Sequence, residues 1–265
     1  MTKPNGWKVL APGREAELVL AVDFATTGRS DSSFSDLVPH LAPEFTVWET
    51  RQPTAAAGMP AKDHLTLWVD EVAAAGRPVR AVLGYCAGGL FAGELATRIS
   101  ALQAGAPRLV VFDPEVPSPS SLHRDFAAMM EQFASVLSPE EVAAAQREGA
   151  AARAEAADFA AYGEELGRIF GERAGAAFAR EELDTELLDE FVAVFRSFVS
   201  YLNAARQIDP VAAWRTAIAV SSREPTEWAA SAERSVTVPV DHADILRSRR
   251  VAETVNEIIG AYAPL

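Results

Sequence analysis

Val82-Leu83-Gly84-Tyr85-Cys86-Ala87-Gly88-Gly89-Leu90 is the stretch on which the reading of this chain turns. An apolar, β-branched run from Val79 to Leu83 leads into it, and a helix-like run from Leu90 to Leu102 leads out. Between them lies G-x-C-x-G, the pattern of a strand that turns sharply into a helix and presents a nucleophile at the apex. Here cysteine stands where serine is usual. Gly84 and Gly88 leave room for strand and helix backbones to approach, and the apex residue bears the strain of the turn. The helix dipole behind Cys86 predicts a lowered thiol pKa and a raised thiolate fraction. An isolated free cysteine is more often a small buried apolar residue. The strand–turn–helix context argues for a nucleophile instead.

Outward from the elbow, strands and helices alternate. On the N-terminal side, Trp7 to Leu10 and Glu17 to Phe24 read as strands, followed by a polar, turn-rich loop from Ala25 to Ser33. Phe34 to Leu41 reads as a short helix and Phe45 to Glu49 as a strand. Ala61 to Ala75 keeps Leu65, Trp68, Val69 and Val72 on one helical face. On the C-terminal side, Arg108 to Asp113 is an apolar strand stopped by Pro114. The alternation predicts a mostly parallel central sheet with right-handed crossovers, flanked by helices. From about residue 120 to 207 the strand signal stops and the chain turns Ala-, Glu- and Phe-rich. Ser138-Pro139-Glu140-Glu141 is a capping box, and Asp184 or Thr185 caps a second long helix. That helix carries Phe191, Phe195 and Phe198 at helical spacing. The segment reads as a helical insertion over the active face, a lid within a single domain spanning 1–265; the plainer alternative is a helical layer with no lid function. Thr216 to Ser221 and Ser235 to Val240 then resume the strands, and a terminal helix runs to about Ala261.

The chain has 265 residues and a net charge of −13, which disfavours a nucleic-acid partner or an anionic membrane surface. A single cysteine excludes an intrachain disulfide. The polar start lacks the apolar core of a signal peptide, and no apolar run is long enough to cross a bilayer, so the expected address is the cytoplasm. The histidines show no metal-ligand spacing and no phosphate-binding glycine loop occurs, so no cofactor or metal is expected.

A cysteine nucleophile needs a base, and the base needs an orienting acid. Of four histidines, only His242 directly follows a late strand, at the carboxyl edge shared with the elbow. His40, His64 and His123 read as solvated. For the acid, Asp113 ends the strand after the elbow helix, and Glu224 follows the strand Thr216–Ser221 and is the alternative.

These residues together resemble the thioesterase domains of nonribosomal peptide and polyketide synthases, of the α/β-hydrolase superfamily. G-Y-C-A-G-G is similar to their G-Y-S-A-G-G elbow. Asp113 sits where offloading members carry their acid, and Asp241-His242-Ala243-Asp244-Ile245-Leu246 resembles their histidine motif. Phe24-Ala25-Thr26-Thr27-Gly28 stands where they have an F-P-x-x-G loop, without its proline, and the helical insertion stands where they have a lid. The resemblance implies an α/β-hydrolase fold and a Cys86–His242–Asp113 triad. It implies oxyanion donors at the amides of Ala87 and Thr27, and apolar walls at Phe191, Phe195 and Phe198. The implied substrate is an acyl or peptidyl thioester on a carrier-protein phosphopantetheine arm or on coenzyme A. Dienelactone hydrolases share G-Y-C-x-G-G but lack so large an insertion and take their acid from a later strand. A non-catalytic binding module on the same fold is the remaining alternative.

Overall fold

The computed structural model describes residues 5–24, 31–42, 44–52 and 58–260. Among these, seven strands form one sheet: β1 (Trp7–Ala11), β2 (Leu18–Val22), β3 (Thr46–Thr50), β4 (Val79–Tyr85), β5 (Arg108–Phe112), β6 (Ile218–Ser221) and β7 (Arg234–Thr237). Their order is β1-β3-β2-β4-β5-β6-β7. Every neighbouring pair is parallel except β1 with β3. The chain winds outward one way from β2 to β3, then restarts at β4 and winds the other way. This is the mostly parallel sheet expected from the alternation, here doubly wound and with the antiparallel β1 added at an edge.

Both faces of the inner strands are covered, which is why β2, β4, β5 and β6 read as apolar runs, while the edge strands β1 and β7 are largely exposed. All five residues of β2 are 0% exposed. On one face Ala21, Leu83 and Phe112 pack with Phe34 and Leu37 of α1 (Phe34–Leu37) and with Val255 and Ile259 of α9 (Arg249–Gly260). On the other lie α2 (Ala61–Ala75) and α3 (Gly88–Ser100). There the Trp68 ring meets Phe91 edge-on at 5.5 Å and Trp7 at 6.3 Å. Trp7 Nε1 also donates to the Trp68 carbonyl at 3.1 Å, so a buried indole keeps its hydrogen bond. Gly76 ends α2 in the left-handed conformation, at φ 63°.

Two compact units are distinguished. One is built from the chain before residue 117 and after 203 and carries the sheet; the other takes 117–203, with Gly58. The second unit is helical: α4 (Pro119–Gln132), α5 (Pro139–Glu155), α6 (Phe159–Arg180) and most of α7 (Thr185–Ala205). Its starts are written in the sequence. Ser118 and Ser138 cap α4 and α5 with proline next, Asp158 Oδ1 accepts from Ala161 N–H, and Asp184 Oδ1 accepts from Glu186 N–H. The Arg180 guanidinium, then the capping bonds to Ser138, holds the Glu141 carboxyl below the ordinary carboxylate range. A further short helix, α8 (Pro210–Trp214), follows in the first unit and was not anticipated from sequence. No helix among the described residues is long and apolar enough to cross a membrane.

Candidate active site

Cys86 follows the last residue of β4 and precedes α3 by one residue. Its N–H still donates to the Phe112 carbonyl at 2.9 Å, so the backbone leaves the sheet ladder only at the apex. The turn forces Cys86 to φ 49°, the left-handed region that side chains disfavour. Gly84 makes the turn possible: a Cβ there would sit 2.6 Å from Gly89 Cα. The close partner of Gly84 is thus Gly89. α8 braces the helix start from outside, through Trp214 Nε1 donating to the Gly89 carbonyl at 2.8 Å.

Asp113 follows β5 directly, and its N–H donates to the Val220 carbonyl at 3.1 Å. It too is left-handed, at φ 41°. Its carboxylate is 1% exposed and engaged at both oxygens: Ser222 N–H donates to Oδ1 at 2.7 Å, and His242 Nδ1 lies 2.8 Å from Oδ2. A carboxylate accepts, so His242 Nδ1 carries the proton of this pair. In the neutral ring Nε2 is then the acceptor. Tyr85 O–H donates to it at 2.9 Å, and the two rings stack at 5.2 Å with planes 20° apart. His242 opens a short 3₁₀ helix, His242–Arg247, beyond β7. One nitrogen of the imidazole is therefore fixed by a buried acid, and the other presents a lone pair at the mouth of the elbow strand.

Asp113 and His242 are brought together, and the other sequence candidates fall as follows. Glu224 is exposed; its backbone carbonyl lies 3.5 Å from the Ser222 hydroxyl, which donates to it. Ala87, directly after the apex, is the N-cap residue of α3. Thr27 lies outside the described residues, as does the loop around it. Phe195 is 4% exposed and packs within the helical unit against Phe126 and Phe170, with tilted rings at 6.1 and 6.2 Å. Phe191 is 38% exposed and meets Phe133 edge-on at 5.1 Å, while Phe198 is half-buried. His64 corrects one expectation: it is 1% exposed rather than solvated. Four residues before Trp68, it shares that helix face, and its ring sits 5.4 Å from Trp68 and 5.8 Å from Phe91. Burial pushes its pKa down, against a raising pull from Asp63.

Three residues with a part in the site carried little sequence signal. Tyr85 reads as a strand residue, Ser222 acts through its backbone, and Glu115 follows a strand-ending Asp-Pro. The Cys86 thiol donates to Glu115 Oε2 at 3.5 Å. Among the described residues, no group of three or more His, Cys, Asp or Glu side chains is placed to hold a metal ion.

No protein-family model matches the chain, and no curated protein matches its sequence. Solved structures share the fold at low identity. The Vlm2 thioesterase domain, in a complex with a dodecadepsipeptide, superposes with a TM-score of 0.53 at 16% identity, covering 99% of this chain and 100% of that one. The NocB thioesterase domain from the nocardicin cluster gives 0.54 at 14%, covering 92% and 93%. The enol-lactonase from Burkholderia xenovorans LB400 gives 0.55 at 16%, covering 96% and 95%. The chain has the α/β-hydrolase fold.

Proposed function

We propose that this chain is a thioesterase-like acyl-transfer enzyme using Cys86, His242 and Asp113. The observation that carries the reading is the 2.8 Å contact between His242 Nδ1 and the buried carboxylate of Asp113, at the strand edge where Cys86 is held at φ 49°. A carboxylate so placed fixes the tautomer in which Nε2 is the acceptor and can serve as a base, and it stabilises the imidazolium that forms.

In this reading the Cys86 thiol replaces the Tyr85 hydroxyl at His242 Nε2. The thiol proton passes to Nε2 as Sγ forms its bond to the thioester carbonyl carbon. The Ala87 amide, at the start of α3, donates to the oxyanion, and an amide of the Ala25–Thr27 loop is its proposed companion. The carbon–sulfur bond of the donor then breaks, and the departing thiolate takes the proton from the imidazolium. An acyl–S–Cys86 enzyme remains. The acyl group has moved from one thioester to another, so its transfer potential is kept for a second acceptor. The proposed donors are a carrier-protein phosphopantetheine thioester or a coenzyme A thioester. Phe191 and Phe198, the more accessible aromatics of α7, are the proposed apolar wall for the acyl chain, with Phe195 supporting them from within the helical unit.

The test is intact-protein mass spectrometry after incubation with a panel of acyl thioesters of graded chain length. An adduct of acyl mass should form on the wild type and be absent from Cys86→Ala. Turnover in Cys86→Ala within about tenfold of wild type, a barrier difference of roughly 1.4 kcal/mol, would remove Cys86 from the mechanism.

A further inference from the structure

The Cys86 thiol donates to Glu115 Oε2 at 3.5 Å, so a half-buried carboxylate lies against the attacking sulfur. Glu115 follows Asp113-Pro114, and the Pro114 carbonyl accepts a hydrogen bond from the Thr226 hydroxyl, which ties the segment down. For the first half-reaction this placement is adverse, since a carboxylate disfavours negative charge on a neighbouring sulfur. The chemistry that gains from it belongs to the second half. Once the sulfur is acylated it no longer carries that charge, and Glu115, 3.5 Å from Sγ, neighbours the atom to which the acyl carbon is bonded. An attacking amine develops positive charge on nitrogen as the carbon–nitrogen bond forms. Water or an alcohol deprotonated by His242 during attack does not.

We propose, building on the acyl–S–Cys86 reading above, that Glu115 makes this a site for a basic amine acceptor, so that the product is an amide. The ammonium form first gives one proton to solvent. The amine lone pair then forms the carbon–nitrogen bond, with the cationic nitrogen held against Glu115. A second proton passes from that nitrogen to His242 Nε2 and on to Cys86 Sγ as the carbon–sulfur bond breaks. Acyl–S–enzyme and ammonium thus become amide, free thiol and one proton, and Glu115 is unchanged.

The test incubates wild type, Glu115→Gln and Glu115→Asp with octanoyl-N-acetylcysteamine thioester and either 1,4-diaminobutane or 1,4-butanediol. Amide, ester and free acid all branch from one acyl-enzyme, so product ratios do not depend on how fast it forms. Wild type should favour amide over acid. In Glu115→Gln the amide-to-acid ratio should fall by about tenfold or more, the ester-to-acid ratio should fall less, and Glu115→Asp should keep most of the amide ratio. An unchanged amide ratio in Glu115→Gln, an equal fall in amide and ester, or acylated Cys86 that yields no amide in any of the three would overturn the role of Glu115 while leaving the acyl-enzyme standing. Failure to acylate Cys86 in wild type would remove the proposed function itself.

Discussion

The sheet-bearing unit and the helical unit are each packed internally by different means. In the first, backbone meets backbone: β4 runs so close to α3 that a Cβ on Gly84 would lie 2.6 Å from Gly89 Cα, and one on Gly93 would lie 2.2 Å from the Ala213 carbonyl oxygen. In the second, side chains meet side chains. Phe126, Phe170 and Phe195 interlock inside it, and its surface carries pairs such as Arg173 with Glu148 at 2.8 Å. Backbone contacts leave few solutions, and that is where Cys86, Asp113 and His242 sit. Side-chain contacts leave many, and a residue there can change with less consequence for the backbone.

The sharpest break of this contrast is chemical. Asp113→Asn should slow turnover by about a thousandfold, because an amide cannot fix the imidazole tautomer or stabilise imidazolium. Glu224→Gln should do little. Steady-state rates on one thioester compare them, and the reverse order would move the acid to the later strand. Next come the glycines. Gly93→Ala drives a methyl into main-chain atoms of α8 and should cost on the order of 3 kcal/mol or more. Gly163→Ala runs into the Val199 side chain, with Cγ1 at 2.1 Å, so it should cost about 1–2 kcal/mol and be partly rescued by Val199→Ala. Urea unfolding of Gly93→Ala, Gly163→Ala and the Gly163→Ala/Val199→Ala double variant measures the difference.

His64 gives a smaller effect. Burial lowers its folded-state pKa, so below about pH 6.5 the unfolded chain binds a proton that the folded chain resists. Stability should therefore decline as pH falls through and below that value. His64→Phe should flatten that part of the curve, as read by melting at stepped pH. Least of all should change in Arg168→Ala. Arg168 pairs with Glu165, Glu172 and Glu148 on the exposed surface of the helical unit, and its melting midpoint should barely move, less still in high salt.

Much of the first unit was legible because local chemistry and tertiary role agree there. α2 runs from Ala61 to Ala75 as its periodicity indicates, bounded by Pro60 and Gly76. The sheet followed from apolar runs, and the elbow from its glycines. α8 escaped notice because five residues carry too little periodicity, although Asp209-Pro210 is a helix-start signal and Asp209 Oδ1 accepts from Val211 N–H. In the insertion the Ala-rich composition announces helix but blurs where one helix ends; the start of α6 rests on a single aspartate. Glu115 and Tyr85 were illegible for another reason. Nothing in Asp-Pro-Glu says which way the glutamate points, and only the crossing of strand ends sets it beside a sulfur far from it in sequence.

The two left-handed residues at the ends of β4 and β5 have a consequence for evolution and handling alike. Cys86 at φ 49° and Asp113 at φ 41° each hold a conformation costing on the order of 1 kcal/mol, which glycine would adopt freely. Cys86→Gly should therefore melt above wild type while losing the proposed acyl transfer, as differential scanning calorimetry beside a thioester assay would read. Heat resistance and reactivity pull in opposite directions at that residue. Were the proposed acyl transfer no longer required, glycine would be the better residue at this apex on stability alone.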